Sequence, residues 1–172
     1  MKKIEIIKGL FAMEKLVKLL DEHPGMSLED MATMLGISAQ EVAAKMDTLK
    51  KDRIYMGCKA VINWDNIEEG NHVCAFIDVQ VQPKLGMGFD EVANKMSRIP
   101  DVECCYLMSG GYDISIKMRG KSFQDIALFV ARKLSAIEGV LSTRTHFILK
   151  RYKDDGIIMD APENDDRGNI SL

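Results

Sequence analysis

Residues 102–118 confine the fold more tightly than any other stretch. Val102-Glu103-Cys104-Cys105-Tyr106-Leu107-Met108 and Ile114-Ser115-Ile116-Lys117-Met118 flank Ser109-Gly110-Gly111-Tyr112-Asp113. The first run is rich in residues that suit a pleated surface. In the second, Ile114, Ile116 and Met118 alternate with Asp113, Ser115 and Lys117, the period of a half-buried strand. Together they predict a hairpin with one face in a core. Gly110 and Gly111 take positive φ without steric cost, so a tight turn bringing bare backbone close to a neighbour is expected. Backbone N–H groups there suit an anion and Asp113 suits a cation, which together match the carboxylate and amino groups of a small zwitterion. A purely structural hairpin turn accounts for the same residues.

The surrounding segments complete a sheet. Residues 73–82 alternate Val73, Ala75, Ile77, Val79 and Val81 against Cys74, Phe76, Asp78, Gln80 and Gln82, and Pro83 stops the strand. Gly88 precedes a helical run with Phe89, Val92, Ala93, Met96 and Ile99 on one side, ended by Pro100. Ser122 caps a second helix carrying Ile126, Phe129, Val130 and Leu134, which runs to Gly139, and residues 140–152 read as a last strand. The order strand, helix, strand, strand, helix, strand is the ferredoxin-like βαββαβ plan, a four-stranded antiparallel sheet with both helices on one face. Cys105, Leu107 and Phe147 suggest that the other face is apolar too, so sheet-to-sheet dimerisation is expected to cover it.

The N-terminal part has another character. Met13, Leu16, Val17 and Leu20 stand at helical spacing before His23-Pro24-Gly25. Ser27 with Asp30 opens a short helix that Gly36 closes, and Ser38 with Glu41 forms a capping box for a third helix with the stripe Val42, Met46, Leu49. A short helix, a glycine-centred turn and a capped helix describe a helix-turn-helix, tri-helical or winged-helix-like, whose second helix enters a DNA major groove. Gln40, Glu41, Ala44, Lys45, Asp47 and Thr48 are the groove-facing candidates, with Lys50, Lys51 and Arg53 just beyond. The DNA-binding set is Ser38, Gln40, Lys45, Thr48, Lys50, Lys51 and Arg53. Residues 54–63 read as an extended connector or a wing. The whole is thus an α+β chain: a helix-turn-helix domain at 1–63, a ferredoxin-like effector-binding and oligomerisation domain at 64–152, and an acidic tail at 153–172, read as a partly disordered end or a short added strand.

Charge tempers the DNA reading. Residues 1–63 carry ten Lys and Arg against nine Asp and Glu, and the remainder thirteen against seventeen, so any DNA contact comes from a local patch and not from bulk charge. The four cysteines lack C-x-x-C spacing, so neither a metal site nor a disulfide framework is suggested, and reduced, largely buried thiols are expected. No phosphate loop, nucleophile constellation or paired-carboxylate signature occurs, so neither enzyme nor cofactor is predicted. No run of ~18 apolar residues and no signal-peptide pattern is found, and a cytoplasmic protein with no membrane contact is expected.

A helix-turn-helix followed by a ferredoxin-like unit with Gly110-Gly111-Tyr112-Asp113 between its central strands resembles the leucine-responsive regulator/AsnC family of transcription factors. Pro100-Asp101-Val102, Glu138-Gly139-Val140 and residues 142–150 add to the resemblance, which covers about residues 10–152. It implies a DNA-binding regulator that dimerises through its C-terminal sheets, assembles further to a tetramer or octamer, and binds an amino acid or related metabolite between subunits. Gly110, Gly111, Tyr112 and Asp113 match the family's ligand loop, and Thr143 and Thr145 fall on the strand that completes the pocket. The third helix departs from the family, which carries several arginines where this chain has Ala44, Asp47 and Thr48 and one cation, Lys45. An oligomeric metabolite-binding or scaffold protein without specific DNA recognition is therefore the alternative. Some proteins similar to the family are haem-biosynthesis decarboxylases that use histidines near the sheet. Here only His72 and His146 are so placed, and neither has a second histidine nearby in sequence.

Overall fold

The computed structural model describes residues 2–67, 72–82 and 88–159, with side chains from residue 12 onward apart from residue 65. Pro83 and residues 160–172 lie outside the described residues. The chain divides into two compact units, Met1–Ala60 and Val61–Leu172.

The first unit holds three helices, α1 (Lys2–Glu22), α2 (Leu28–Leu35) and α3 (Ala39–Lys51). The starts of α2 and α3 come from local chemistry. Ser27 Oγ accepts from Asp30 N at 3.1 Å, satisfying one of the orphan N–H groups of α2. At α3 the full capping box forms: Ser38 Oγ accepts from Glu41 N at 3.2 Å, and Ser38 N donates to Glu41 Oε2 at 2.9 Å. Gly36 ends α2 at φ +66°, where its N–H reaches the carbonyls of Ala32 and Thr33. Leu16 and Leu20 from α1, Met31 and Ala32 from α2, and Val42 and Leu49 from α3 form the core, with Met13, Met46 and Tyr55 packed around it. Each fully buried leucine or valine contributes about 1.5–3 kcal/mol. Residues 54–60 contain no strand, so the chain leaves α3 as a connector and not as a wing.

The second unit is built on β1 (Val73–Val81), β2 (Val102–Leu107), β3 (Ile114–Gly120) and β4 (Val140–Phe147), all antiparallel in the order β2-β3-β1-β4. Helix α4 (Phe89–Ser97) lies between β1 and β2. Helix α5 (Phe123–Phe129) comes after β3 and continues as a π-helical turn over Val130–Leu134. The core joins Ala75, Ile77, Val79, Val81, Ile114, Ile116 and Met118 from the sheet to Val92, Met96, Ile126, Phe129 and Leu134 from the helices. Gly139 is required where the chain enters β4: at φ +94° its carbonyl accepts from Gln82 N at 2.8 Å, and a Cβ there would stand 3.4 Å from Val92 Cγ2.

Further expectations change. The last strand stops at Phe147 and does not run to residue 152, because β1 begins at Val73 and Ile148 N, donating to Cys74 O at 2.9 Å, takes the final partner. Residues beyond it instead form a small hairpin, β5 (Lys153–Asp154) with β6 (Ile157–Ile158), around Asp155 and Gly156 at φ 44° and 82°. Two central residues with positive φ make the type I′ geometry that Asp-Gly favours. Finally, Cys105, Leu107 and Phe147 do not make a second apolar face. A register shift between Val102 and Cys104 sets Cys105 opposite Ile116 and Leu107 opposite Ile114, while Phe147 pairs with Ala75, so all three share the helix-covered face. The opposite face is largely polar, with Ser115 Oγ on Asp78 at 2.8 Å, His146 on Asp78 at 3.2 Å, Lys117 on Asp154 at 3.6 Å and Arg119 near Glu103 at 3.0 Å. Phe76 and Tyr106 are the exposed rings on it. The thiols are also less sheltered than expected: only Cys74 is buried, Cys104 and Cys105 are half-buried, and Cys58 is exposed.

Candidate functional site

Capping and core packing together determine which side of α3 is free. With Val42 and Leu49 buried, Gln40, Glu41, Ala44, Asp47, Thr48 and Lys51 recur at helical spacing as one exposed stripe. Lys45 is half-buried at one margin, and Lys50 is exposed at the other, 3.9 Å from Asp47 Oδ1. The helix extends through Lys50 and Lys51, so these two belong to its last turn and are not outside it. Ser38 is committed to the cap. The Thr48 hydroxyl donates to Ala44 O at 3.0 Å, and Arg53 takes φ 57° directly after the helix. Hydrogen bonds from Ser38, first from its backbone and then from its side chain, hold the Glu41 carboxyl below its ordinary range, so this acid stays charged on the stripe. The surface is therefore mixed: three lysines and Arg53 against Glu41 and Asp47.

At the sheet end between β2 and β3 the chain makes a loop pinned at both sides. Met108 N donates to Asp113 O at 2.8 Å, and Asp113 N donates to Val79 O at 3.1 Å. Asp113 Oδ2 accepts from Val81 N at 2.8 Å, where β3 has already left the sheet and the β1–β4 register shifts between Gln80 and Val81. One carboxylate oxygen thus replaces the strand partner that Val81 would otherwise lack. Ser109, Gly110 and Gly111 are exposed, Tyr112 half-buried. Neither Gly110 nor Gly111 has positive φ, contrary to the tight-turn expectation. Four residues between the pinned ends make a wider loop that needs no left-handed backbone. A Cβ at either glycine would meet nothing within 4 Å, so the loop borders open space.

The Tyr112 ring lies under the Arg144 guanidinium, 5.2 Å from its carbon to the ring centroid. Arg144 pairs with Asp78 on the polar sheet face, whereas Thr143 and Thr145 pair with Val79 and Ile77 and share the helix-covered face, half-buried. Within one protomer, then, Tyr112 gathers with Arg144 and not with the two threonines. Ser142 Oγ on Gln80 Oε1 at 3.1 Å lies beside it on the same face. Strand alternation from Thr143 and Thr145 was the available signal for Arg144, since it places the intervening residue on the opposite side. His72 stands edge-on to Trp64 at 4.8 Å and His146 contacts Asp78.

A fold with a helix-turn-helix unit and a four-stranded α+β unit bearing a pinned, open-sided loop defines a DNA-binding regulator with a small-molecule domain. The model of the Lrp/AsnC ligand binding domain matches residues 74–158. An uncharacterized HTH-type transcriptional regulator of Bacillus subtilis is 44% identical over 157 residues, covering 91% of this chain and 95% of its own. The chain belongs to the Lrp/AsnC family of HTH-type transcriptional regulators. In fold it is similar to the leucine response regulatory protein of Mycobacterium tuberculosis, with TM-score 0.72 and 23% identity over 87% of this chain and 98% of that one. It is also similar to a Neisseria meningitidis transcriptional regulator solved as an L-Met complex, with TM-score 0.66 and 19% identity over 83% and 91%. No described helix is long and apolar enough to cross a membrane.

Proposed function

We propose that this protein is a sequence-specific DNA-binding transcriptional regulator whose DNA binding is set by an amino acid held at the 109–112 loop. The observation that carries the effector reading is the Tyr112–Arg144 pair at 5.2 Å beside the unobstructed Gly110-Gly111 backbone. A guanidinium held over an aromatic ring offers a fork of donors to a carboxylate, and the loop leaves room beside it. Asp113 keeps the loop in place through its Oδ2 on Val81 N, which leaves the second carboxylate oxygen for a ligand ammonium. The exposed Leu107, Met108 and Leu141 at this end of the sheet support completion of the site by a second copy of the chain, as in a homodimer that assembles to a tetramer or octamer. Thr143 and Thr145 then serve a ligand from the helix side of a neighbouring subunit. On DNA, α3 enters the major groove through Gln40, Thr48 and Lys51, with Lys45, Lys50 and Arg53 on phosphates and Ser38 presenting the helix start.

Thermal shift against each standard amino acid tests the effector reading, because a ligand that binds only the native state raises its melting temperature. A selective rise in wild type that is lost in Tyr112→Ala and in Arg144→Gln is expected. The same rise in both variants, or none with any amino acid, would overturn it.

A further inference from the structure

The far end of the sheet carries a second concavity. It has a volume of about 600 Å³ and is lined by His72, residues 118–121 at the end of β3, Asp101 before β2, and Asp125, Leu128, Phe129, Arg132 and Lys133 from α5 and its π-helical extension. The size falls in the range of small-molecule sites, roughly 300–1,000 Å³. It stands at the opposite end of β1 and β3 from the 109–112 loop, so it does not belong to the effector site.

Its chemistry is one-sided. Four of its lining residues are cationic, Arg119, Lys121, Arg132 and Lys133, in a chain whose net charge is −3. Of its two acids, Asp101 is already occupied by Lys133 at 3.0 Å. Among the described residues neither Lys121 nor Arg132 has a carboxylate partner. At the rim Arg119 is already engaged on the polar sheet face, its guanidinium stacked on Trp64 at 4.4 Å and its Nε 3.0 Å from Glu103 Oε1. Met118, Leu128 and Phe129 give the cleft an apolar floor. Unmatched cations in a concave site concentrate anions, and the floor suits an organic body over a bare ion.

We propose that this cleft is a second ligand site, for a small organic oxyanion carrying two or more negative charges, held by Lys121, Arg132 and Lys133. Phosphorylated and polycarboxylate metabolites share that chemistry. Adenosine monophosphate and citrate, with inorganic phosphate as the bare ion, separate the two sources in calorimetric titrations of the full chain at low ionic strength. Saturable binding of one per chain by one of the organic probes, more tightly than phosphate, is expected. Lys121→Gln with Arg132→Gln should weaken it about tenfold or more, since two charge-assisted hydrogen bonds are removed. Asp101→Asn, which releases Lys133, should tighten it. A pair of equal charge removed elsewhere, Lys50→Gln with Lys51→Gln, and Tyr112→Ala should leave it unchanged. All of these side chains but Tyr112 are exposed, so the variants are expected to fold. No saturable binding of any probe at millimolar concentration, equal weakening in the two lysine-bearing pairs, or weakening by Asp101→Asn would overturn the proposal.

Discussion

Replacing Asp113 by alanine separates a loop anchor from a ligand contact. Val81 is 5% exposed, and its N–H has Asp113 Oδ2 at 2.8 Å as its partner. Truncation leaves that buried donor unsatisfied, which costs about 1–3 kcal/mol, whereas Asp113→Asn keeps a carbonyl oxygen there and costs about 0.5–1.5 kcal/mol. For a unit of this size about 1 kcal/mol corresponds to roughly 4–8 °C in melting temperature, so the alanine variant should melt roughly 5–20 °C lower and the asparagine variant in between. Differential scanning calorimetry without ligand, at one protein concentration because assembly shifts apparent stability, reads the effect. An alanine variant that melts within about 2 °C of wild type, yet no longer responds to the effector, would refute the anchoring role.

Other outcomes concern the helix unit. Leu16 is fully buried in a unit of sixty residues, so Leu16→Ala should cost about 2–5 kcal/mol and melt that unit separately from the sheet, visible as a split transition by circular dichroism. Ser38→Ala removes the cap of α3 and should cost about 1 kcal/mol, measured by chemical denaturation. The folded pKa of Glu41 is lowered, so its contribution is present above the ordinary carboxylate range and lost as pH falls through the lowered value. Glu41→Gln should flatten the acid limb of a stability-versus-pH curve. Lys50→Gln should weaken binding uniformly across sequences and lower the slope of log affinity against log salt by about 0.9 for each phosphate the side chain no longer neutralises, read by fluorescence anisotropy.

Features carried by neighbouring residues were legible before the structure. Ser27 with Asp30 and Ser38 with Glu41 cap their helices as their spacing implies, and Gly36 closes α2, because those contacts are settled within one turn. Alternation placed β1 and β3, residues suited to a pleated surface placed β2, and the order of strands and helices along the chain implied the four-stranded antiparallel plan. What escaped depends on residues far apart in sequence or on a single-residue slip. The register shift beside Cys104 moves Cys105 and Leu107 to the helix side, and no composition signal marks it. The partner of Asp113 is a backbone N–H 32 residues away, so the side chain read as a free cation partner is half committed to the fold. Tyr112 meets Arg144 across two strands, a contact visible only once β1 is seen between β3 and β4. The β5–β6 hairpin, by contrast, was announced by Asp155-Gly156 and hidden only by strands of two residues each.

The link between the loop and the recognition helix is tested most directly by DNA affinity with and without ligand. The full chain would be used to select duplexes from a random pool, and the affinity for the winning duplex measured with and without the amino acid that raises the melting temperature. The expected result is a selected sequence bound well above random DNA, with an affinity that the amino acid changes by about 5–150-fold in wild type and leaves unchanged in Arg144→Gln. Equal affinity for selected and random duplexes, or an affinity indifferent to saturating amino acid, would contradict it and leave an oligomeric metabolite-binding protein without specific DNA recognition.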